Sequence, residues 1–217
     1  DASLLLGHPV RTVHRRPLDG WAGGIKRAQD IVIGSLLLVL LLPLMALIAL
    51  LIKLDSEGPV LFRQQRLGLG NTAFEILKFR TMTHRPGPEH DVPQACRNDP
   101  RVTRLGRFLR RSSLDELPQL LNVLKGDMSL VGRRPHALAH DEYYGALIPT
   151  YAARFRAKPG LTGYAQVNGF RGEIRDTRGM SDRVAADNSY IEAWSPALDL
   201  AILARTVPLI FRDPRAY

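Results

Sequence analysis

Cysteine is nearly missing: Cys96 is the only one in 217 residues. A lone thiol excludes an internal disulfide and fits a reducing compartment. It stands in a polar, proline-rich stretch with no catalytic partner near it in sequence, and reads as incidental. Aromatic residues are also sparse, at 7%, too thin for a protein that stacks on bases, so nucleic acid is not an expected partner. Acids are outnumbered, 21 Asp and Glu against 30 Lys and Arg, for a net charge of +9. Such an excess points to an anionic partner, either an acidic membrane surface or phosphorylated small molecules. Histidine ligand sets are lacking too. His84 and His90 have no partners at metal-ligand spacing, and His136 and His140, four residues apart and able to share a helix face, have no third ligand beside them.

One long stretch lacks charge altogether. From Ile31 to Ile52 the chain reads IVIGSLLLVLLLPLMALIALLI, and roughly 20 apolar residues suffice to cross a bilayer core. It is too long, and too far from the start, for a secretory signal. A plain spanning helix is the simplest expectation. Two features argue against it. Pro43 near the middle removes a helix hydrogen bond and is expected to bend or break the helix. Basic residues also flank both ends: Arg11, Arg15, Arg16, Lys26 and Arg27 before, Lys53, Arg63, Arg66, Lys78 and Arg80 after. Positive segments stay on the cytoplasmic side, so a hairpin that enters one leaflet and returns keeps both flanks inside, whereas a spanning helix exports one. Periodicity leaves both topologies open.

After Gly58 and Pro59, the runs Val60–Leu67 and Thr72–Phe79 flank a Gly/Asn turn and predict a β-hairpin. Gly68, Gly70 and Ala73 match a loose dinucleotide fingerprint, but the βαβ unit that motif needs is missing, so the turn reading is preferred. The stretch from His84 to Pro100, with five prolines or glycines, is expected to be loop.

The densest chemistry lies between Arg110 and Pro135, RRSSLDELPQLLNVLKGDMSLVGRRP. Leu114, Leu117, Leu120, Leu121 and Leu124 recur at helical spacing. Ser113 and Glu116 have the form of a capping box, whereas Pro118 favours a helix starting near Leu117. In either register Asp115 and Glu116 lie at a helix start, where free N–H groups favour negative charge. Two acids in a first turn are commonplace. Paired arginines on both sides, Arg110–Arg111 and Arg133–Arg134, make them less so: arginine clamps phosphate, a carboxylate can attack phosphorus, and magnesium takes carboxylate oxygens.

The blocks KRAQDIVIGSLLLVLLLPLMALIALLIK, GPVLFRQQRLG, KFRTM, SLDELPQLLNVLKGDMSLVG and KPGLTGYAQVNGFRGE together resemble the bacterial sugar transferase family, the monotopic phosphoglycosyl transferases. The resemblance runs from Trp21 to the C-terminus. It implies transfer of a sugar 1-phosphate from a UDP-sugar to polyprenyl (undecaprenyl) phosphate at the cytoplasmic face of the bacterial inner membrane, the first membrane step of glycan assembly. It further implies that Asp115 is the nucleophile of a ping-pong cycle and that Mg2+ is held by Glu116 with Asp115 beside it. Arg110, Lys78, Arg80, Arg133, Arg134 and Pro135 would bind substrate. Arg134 and Pro135 match the last two positions of the family's Pro-Arg-Pro motif, with Arg133 in place of its first proline. Leu42 stands where a serine often precedes the helix-breaking proline. The ending is similar to the branch that moves glucose 1-phosphate; galactose 1-phosphate or an N-acetylated sugar is the alternative.

The expected architecture is mostly α with a small β-hairpin (α+β). A linker over 1–25 leads into a kinked re-entrant membrane helix over 26–53 and a cytoplasmic-face catalytic domain with interfacial amphipathic helices over 54–217. Asp1 in place of Met, and PLDGWAGG near the start, resemble the junction in longer members. Asn168–Arg183 is expected to be a mobile loop, and Asp182–Phe211 helical with interruptions at Pro196 and Pro208. Its helix either joins the core or lies at the interface with Trp194 among the headgroups. Membrane lipid and a second copy of the chain complete the expected partners. A non-enzymatic alternative is a membrane-tethered basic scaffold, which would release no UMP.

Overall fold

The computed structural model describes residues 2–5, 8–11, 18–83, 99–170, 172 and 176–212; Cys96, His84 and His90 fall outside these. Among the described residues helices dominate, joined by three two-stranded β units. Near the start, β1 (Ala2–Leu5) pairs antiparallel with β2 (His8–Arg11).

The apolar run forms the middle of α1 (Gly20–Asp55), a 36-residue helix about 54 Å long at 1.5 Å per residue. The helix is uninterrupted through Pro43, so the expected break is not seen in its backbone pattern. Its length and composition suit a membrane, and only 11% of its most apolar window is buried by protein. A soluble core helix would be covered; here Val32, Leu36, Val39, Leu40, Leu42, Leu47, Leu50 and Leu54 are all more than half exposed. Apolar surface of this extent marks membrane association.

The other side of α1 lies on the rest of the protein. Gly34 faces Val123 and Leu124, while Met45, Ile48 and Ile52 pack with Phe79 and Leu109. Both ends are fastened by polar groups. At the first, Arg27 donates to the carbonyls of Val123 and Leu124, at 2.5 and 2.6 Å, and so caps the end of α3 (Gln119–Lys125). Beside it Asp30 accepts from Lys26, from the Ser129 hydroxyl and from the Leu130 N–H. Lys26 also reaches Asp199 at 2.6 Å. At the far end, buried Arg80 donates to the Ser56 carbonyl at 2.6 Å and to that of Ile52 at 3.4 Å.

The predicted hairpin is present. Strands β3 (Leu61–Leu67) and β4 (Ala73–Phe79) pair antiparallel from Leu61↔Phe79 to Leu67↔Ala73. A 3₁₀ turn joins them, with Gly70 and Asn71 at positive φ, residue types that tolerate that region. The Gly68–Ala73 segment is therefore a turn and not a nucleotide loop.

Helix α2 (Arg104–Ser112) follows, N-capped by the Thr103 hydroxyl, which accepts from the Gly106 N–H. A Cβ on Gly106 would collide with the Thr81 carbonyl, so glycine lets α2 press directly on the chain leaving β4. The core gathers Phe74 and Ile76 of β4, Leu120 and Val123 of α3, Leu130 and Val131 of β5 (Ser129–Val131), and Tyr190, Ile191 and Ile202. Burying each large side chain contributes about 1.5–3 kcal/mol. β5 pairs in parallel with β6 (Gly160–Thr162). Their approach is closest at Gly132 and Gly160, where a Cβ on either would strike the opposite backbone.

Helix α4 (Leu138–Leu147) contains His140 but not His136, so that pair does not share a helix. A short α5 (Tyr164–Val167) precedes α6 (Thr177–Ala193) and α7 (Pro196–Arg212). Residues 177–183, expected in a loop, are helical, with Asp176 as N-cap accepting from the Gly179 N–H at 2.7 Å. Pro196 opens α7, a position proline tolerates; Pro208 lies inside it without a break. α7 divides its faces. Leu198, Ile202, Leu203 and Leu209 join the core, whereas Ala197, Leu200, Ala201, Ala204, Val207 and Pro208 are exposed.

Candidate active site

The acid pair falls between two helices. Ser113, at φ 56° and ψ 17°, ends α2 in the left-handed region, and a 3₁₀ turn over Leu114–Glu116 follows before α3 begins at Gln119. The capping box is not formed, because Ser113 makes no side-chain cap bond, and the regular helix begins at Gln119, within two residues of the start near Leu117 that Pro118 favours. Pro118 accounts for this: lacking an N–H, it suits the junction just before α3. Asp115 and Glu116 are both buried, at 9% exposure.

Glu116 sits inside a cage of cations. Its Oε1 accepts from Lys78 Nζ at 2.7 Å and from Arg134 Nη2 at 2.8 Å, and Arg134 Nη1 lies 3.4 Å from Oε2. Burial alone would raise its pKa, but Arg134 and Lys78 outweigh it and hold the carboxyl well below the usual range. Asp115 behaves oppositely. Among the described residues its carboxylate accepts no hydrogen bond. Burial, reinforced by the charge of Glu116, pushes its pKa up to about 6 against the pull of Lys78, Arg110 and Arg134. Two adjacent carboxylates are thus driven apart, the pattern that separates chemical roles in a site. Glu116 is a fixed anion; Asp115 is a basic carboxylate in a field of three cations.

Each cation comes from a different element. Lys78 is the penultimate residue of β4 and Arg110 lies in the last turn of α2, its Nε donating to Thr81 Oγ1 at 2.8 Å. Arg134 follows β5, and Pro135 lies half-buried between it and His136. Arg80 and Arg133 do not join this group. Arg80 ties down the end of α1, as described above. Arg133 is fully buried, donates through Nη2 to the carbonyls of Leu67 and Gly68 at 2.8 and 3.1 Å, and stacks over the Phe155 ring at 4.4 Å. Where the family pattern has a proline, this chain has a side chain that braces the β3–β4 turn. Burial, with the charge of Arg154, lowers the Arg133 pKa to about 9. Arg133→Ala is accordingly expected to cost about 2–4 kcal/mol of stability while leaving the turnover of the folded protein nearly unchanged. Thermal melts beside steady-state kinetics check this.

Sequence reasoning passed over the group that holds Arg134. Arg154, fully buried, donates through Nη2 to the Arg134 carbonyl at 3.0 Å and to Asp187 Oδ2 at 2.9 Å. Its Nη1 lies 3.0 Å from His136 Nδ1. Guanidinium only donates, so that nitrogen is the acceptor and the imidazole is neutral. Burial and the surrounding arginines lower the His136 pKa well below its ordinary value, in agreement. Tyr151 donates to Asp141 Oδ1 at 2.6 Å. An arginine in YAARFR has no local feature to distinguish it from a solvated charge; its partners lie 20 and 33 residues away.

Among the described residues no group of three or more His, Cys, Asp or Glu could hold a metal. The donor set still fits magnesium, which binds through one or two carboxylates and completes its shell with water and substrate phosphates.

The family model for bacterial sugar transferases matches residues 21–213. The chain belongs to the bacterial sugar transferase family. Its relatives include a UDP-glucose:undecaprenyl-phosphate glucose-1-phosphate transferase of Caulobacter vibrioides, 59% identical over 88% of this chain and 72% of that protein. A transferase of the same description from Escherichia coli (strain K12) is 49% identical over 97% of this chain and 45% of its own length. A UDP-N-acetylgalactosamine-undecaprenyl-phosphate N-acetylgalactosaminephosphotransferase of Aeromonas hydrophila is 42% identical over 86% of this chain and 43% of its own. The chain therefore spans less than half the length of the latter two family members.

Proposed function

We propose that this chain transfers glucose 1-phosphate from UDP-glucose to undecaprenyl phosphate, releasing UMP, through a phosphosugar carried on Asp115. The observation that carries the reading is the contrast within the acid pair: Asp115 is buried, basic and without a hydrogen bond among the described residues, beside a Glu116 locked between Lys78 and Arg134. In the first step an Asp115 oxygen bonds to the phosphorus bearing the sugar, and the bond from that phosphorus to the bridging oxygen breaks, its electron pair leaving on UMP. In the second, a phosphate oxygen of the lipid attacks the same phosphorus and the acyl phosphate bond breaks, restoring the carboxylate. Arg134, Arg110 and Lys78 would neutralise charge on the phosphates as each step develops it. Magnesium would be held by Glu116, with Asp115 beside it, and would supply charge neutralisation at the diphosphate.

Asp115 attacks only when deprotonated. Because its pKa is pushed up to about 6, kcat/KM is expected to fall as pH drops below that value, about tenfold per unit, and to level off above it. A pH profile of UMP release checks this.

For α1, a re-entrant or interfacial seating with both ends on the cytoplasmic face is favoured over a spanning one. In support, the Lys26–Asp30–Asp199 cluster and the Arg80–Ser56 bonds fasten opposite ends of α1 to one polar domain, which a bilayer cannot hold on both of its sides. α7 likewise leaves an apolar face exposed, with Leu200 and Val207 on it, of the kind that suits a lipid interface. Cysteines placed at the two ends and labelled from the cytoplasm test it: one inaccessible end defeats the re-entrant reading.

The substrate is tested by UMP release across a panel of UDP-sugars with magnesium and undecaprenyl phosphate. UDP-glucose is expected to lead. A preference for an N-acetylated donor would move the reading to that branch, and no UMP from any donor would refute it.

A further inference from the structure

Helix α2 carries a second surface that the acid pair does not use. Arg104, Arg107, Phe108 and Arg111 are all exposed, Phe108 by 60%. Spaced at i, i+3, i+4 and i+7, they fall on one arc roughly 100° wide. Gly106 and Leu109 are buried on the opposite face, against Thr81 and the second half of α1. Among the described residues the side chains of Arg104, Arg107 and Arg111 make no hydrogen bond or ion pair. Three arginines within two turns repel one another, and nothing in the described protein offsets that cost. Phe108, a large phenyl group set between them, is 60% exposed among the described residues.

We infer that this face of α2 is a docking surface for anionic phospholipid headgroups. The charge pattern selects that occupant: guanidinium groups bind phosphate oxygens bidentately, and an aromatic ring between them enters the headgroup–acyl boundary. Continuity supports it as well. Through its inner side, Leu105 and Leu109, α2 packs with Met45, Ile48 and Ile52 of α1, so the helix that bears the basic face is itself seated on the one that enters lipid. Its consequence for the reaction is positional. α2 ends at Ser112, and the turn that holds Asp115 begins two residues later. Anchoring the helix among headgroup phosphates sets Asp115 at the depth where the phosphate of a lipid acceptor lies. The inference rests on the membrane-surface reading of α1 and adds a lipid-charge requirement to it.

The test uses the full chain in nanodiscs of phosphatidylcholine, alone or with about a third phosphatidylglycerol. Two readouts are taken. A nitroxide at Phe108→Cys, on a Cys96→Ser background, reports immersion by its accessibility to oxygen against a water-soluble nickel chelate. UMP release reports function for the native chain and for Arg104→Gln/Arg107→Gln/Arg111→Gln. In anionic nanodiscs the label is expected to become immersed, and the KM for undecaprenyl phosphate to drop by on the order of tenfold, a gain the triple variant loses and high salt weakens. A label that stays aqueous in both lipids overturns the inference, as does a triple variant that keeps the full response to phosphatidylglycerol. If no UMP forms in any lipid while the label is immersed only in anionic nanodiscs, the docking surface stands and the proposed transfer fails.

Discussion

Asp115→Asn is expected to abolish UMP release from UDP-glucose, with a loss of about 10⁴-fold or more in kcat. The amide is isosteric with the carboxylate but cannot form an acyl phosphate at neutral pH. Since the native side chain accepts no hydrogen bond from the described residues, the exchange breaks no contact, and removing a carboxylate whose pKa lies near 6 from beside Glu116 leaves the fold intact. Unchanged thermal melting with lost turnover is the combined signature. A variant that lost both together would point to a structural role, and one with substantial turnover would remove Asp115 as the nucleophile.

Arg134→Gln carries the second largest effect, an expected loss of about 10²- to 10³-fold in kcat/KM. The guanidinium bonds Glu116 at 2.8 Å and opposes the effect of burial there more strongly than any other charge. Without it Glu116 keeps, among the described residues, the bond from Lys78, and its carboxyl titrates higher. Arg134 also lowers the Asp115 pKa, so the acid limb of the pH profile should move upward from about 6 in the variant. That shift separates an electrostatic role from simple loss of substrate contact. A hundredfold loss with an unmoved limb would mean that Arg134 acts on substrate alone.

Local patterns carried most of the fold. The hairpin follows from two β-rich runs around Gly70 and Asn71, and α1 from its uncharged length. Partners far apart in sequence were invisible. Arg133 sits in the arginine-rich stretch and invites a phosphate role, yet its hydrogen bonds go to carbonyls 65 and 66 residues away. Asp30 meets Ser129 across 99 residues. The acid pair was legible as chemistry but less so as geometry: Pro118 marks a helix start close to the one at Gln119, whereas the left-handed Ser113 and the 3₁₀ turn that holds the acids carry no local signal. The division of labour within the pair also depends on tertiary contacts. Asp115 and Glu116 are adjacent and chemically alike in sequence; only the meeting of β4, α2 and the chain after β5 gives one a pair of cationic partners and leaves the other unbonded.

The covalent step is the claim on which the rest depends. Incubating the chain with UDP-glucose and magnesium, without any lipid acceptor, and mapping peptides by mass spectrometry tests it most directly. A hexose phosphate adduct on Asp115, formed in step with a stoichiometric burst of UMP and discharged when undecaprenyl phosphate is added, is the predicted result. UMP that appears only once the lipid acceptor is present, with no adduct on Asp115 at any time, would contradict it.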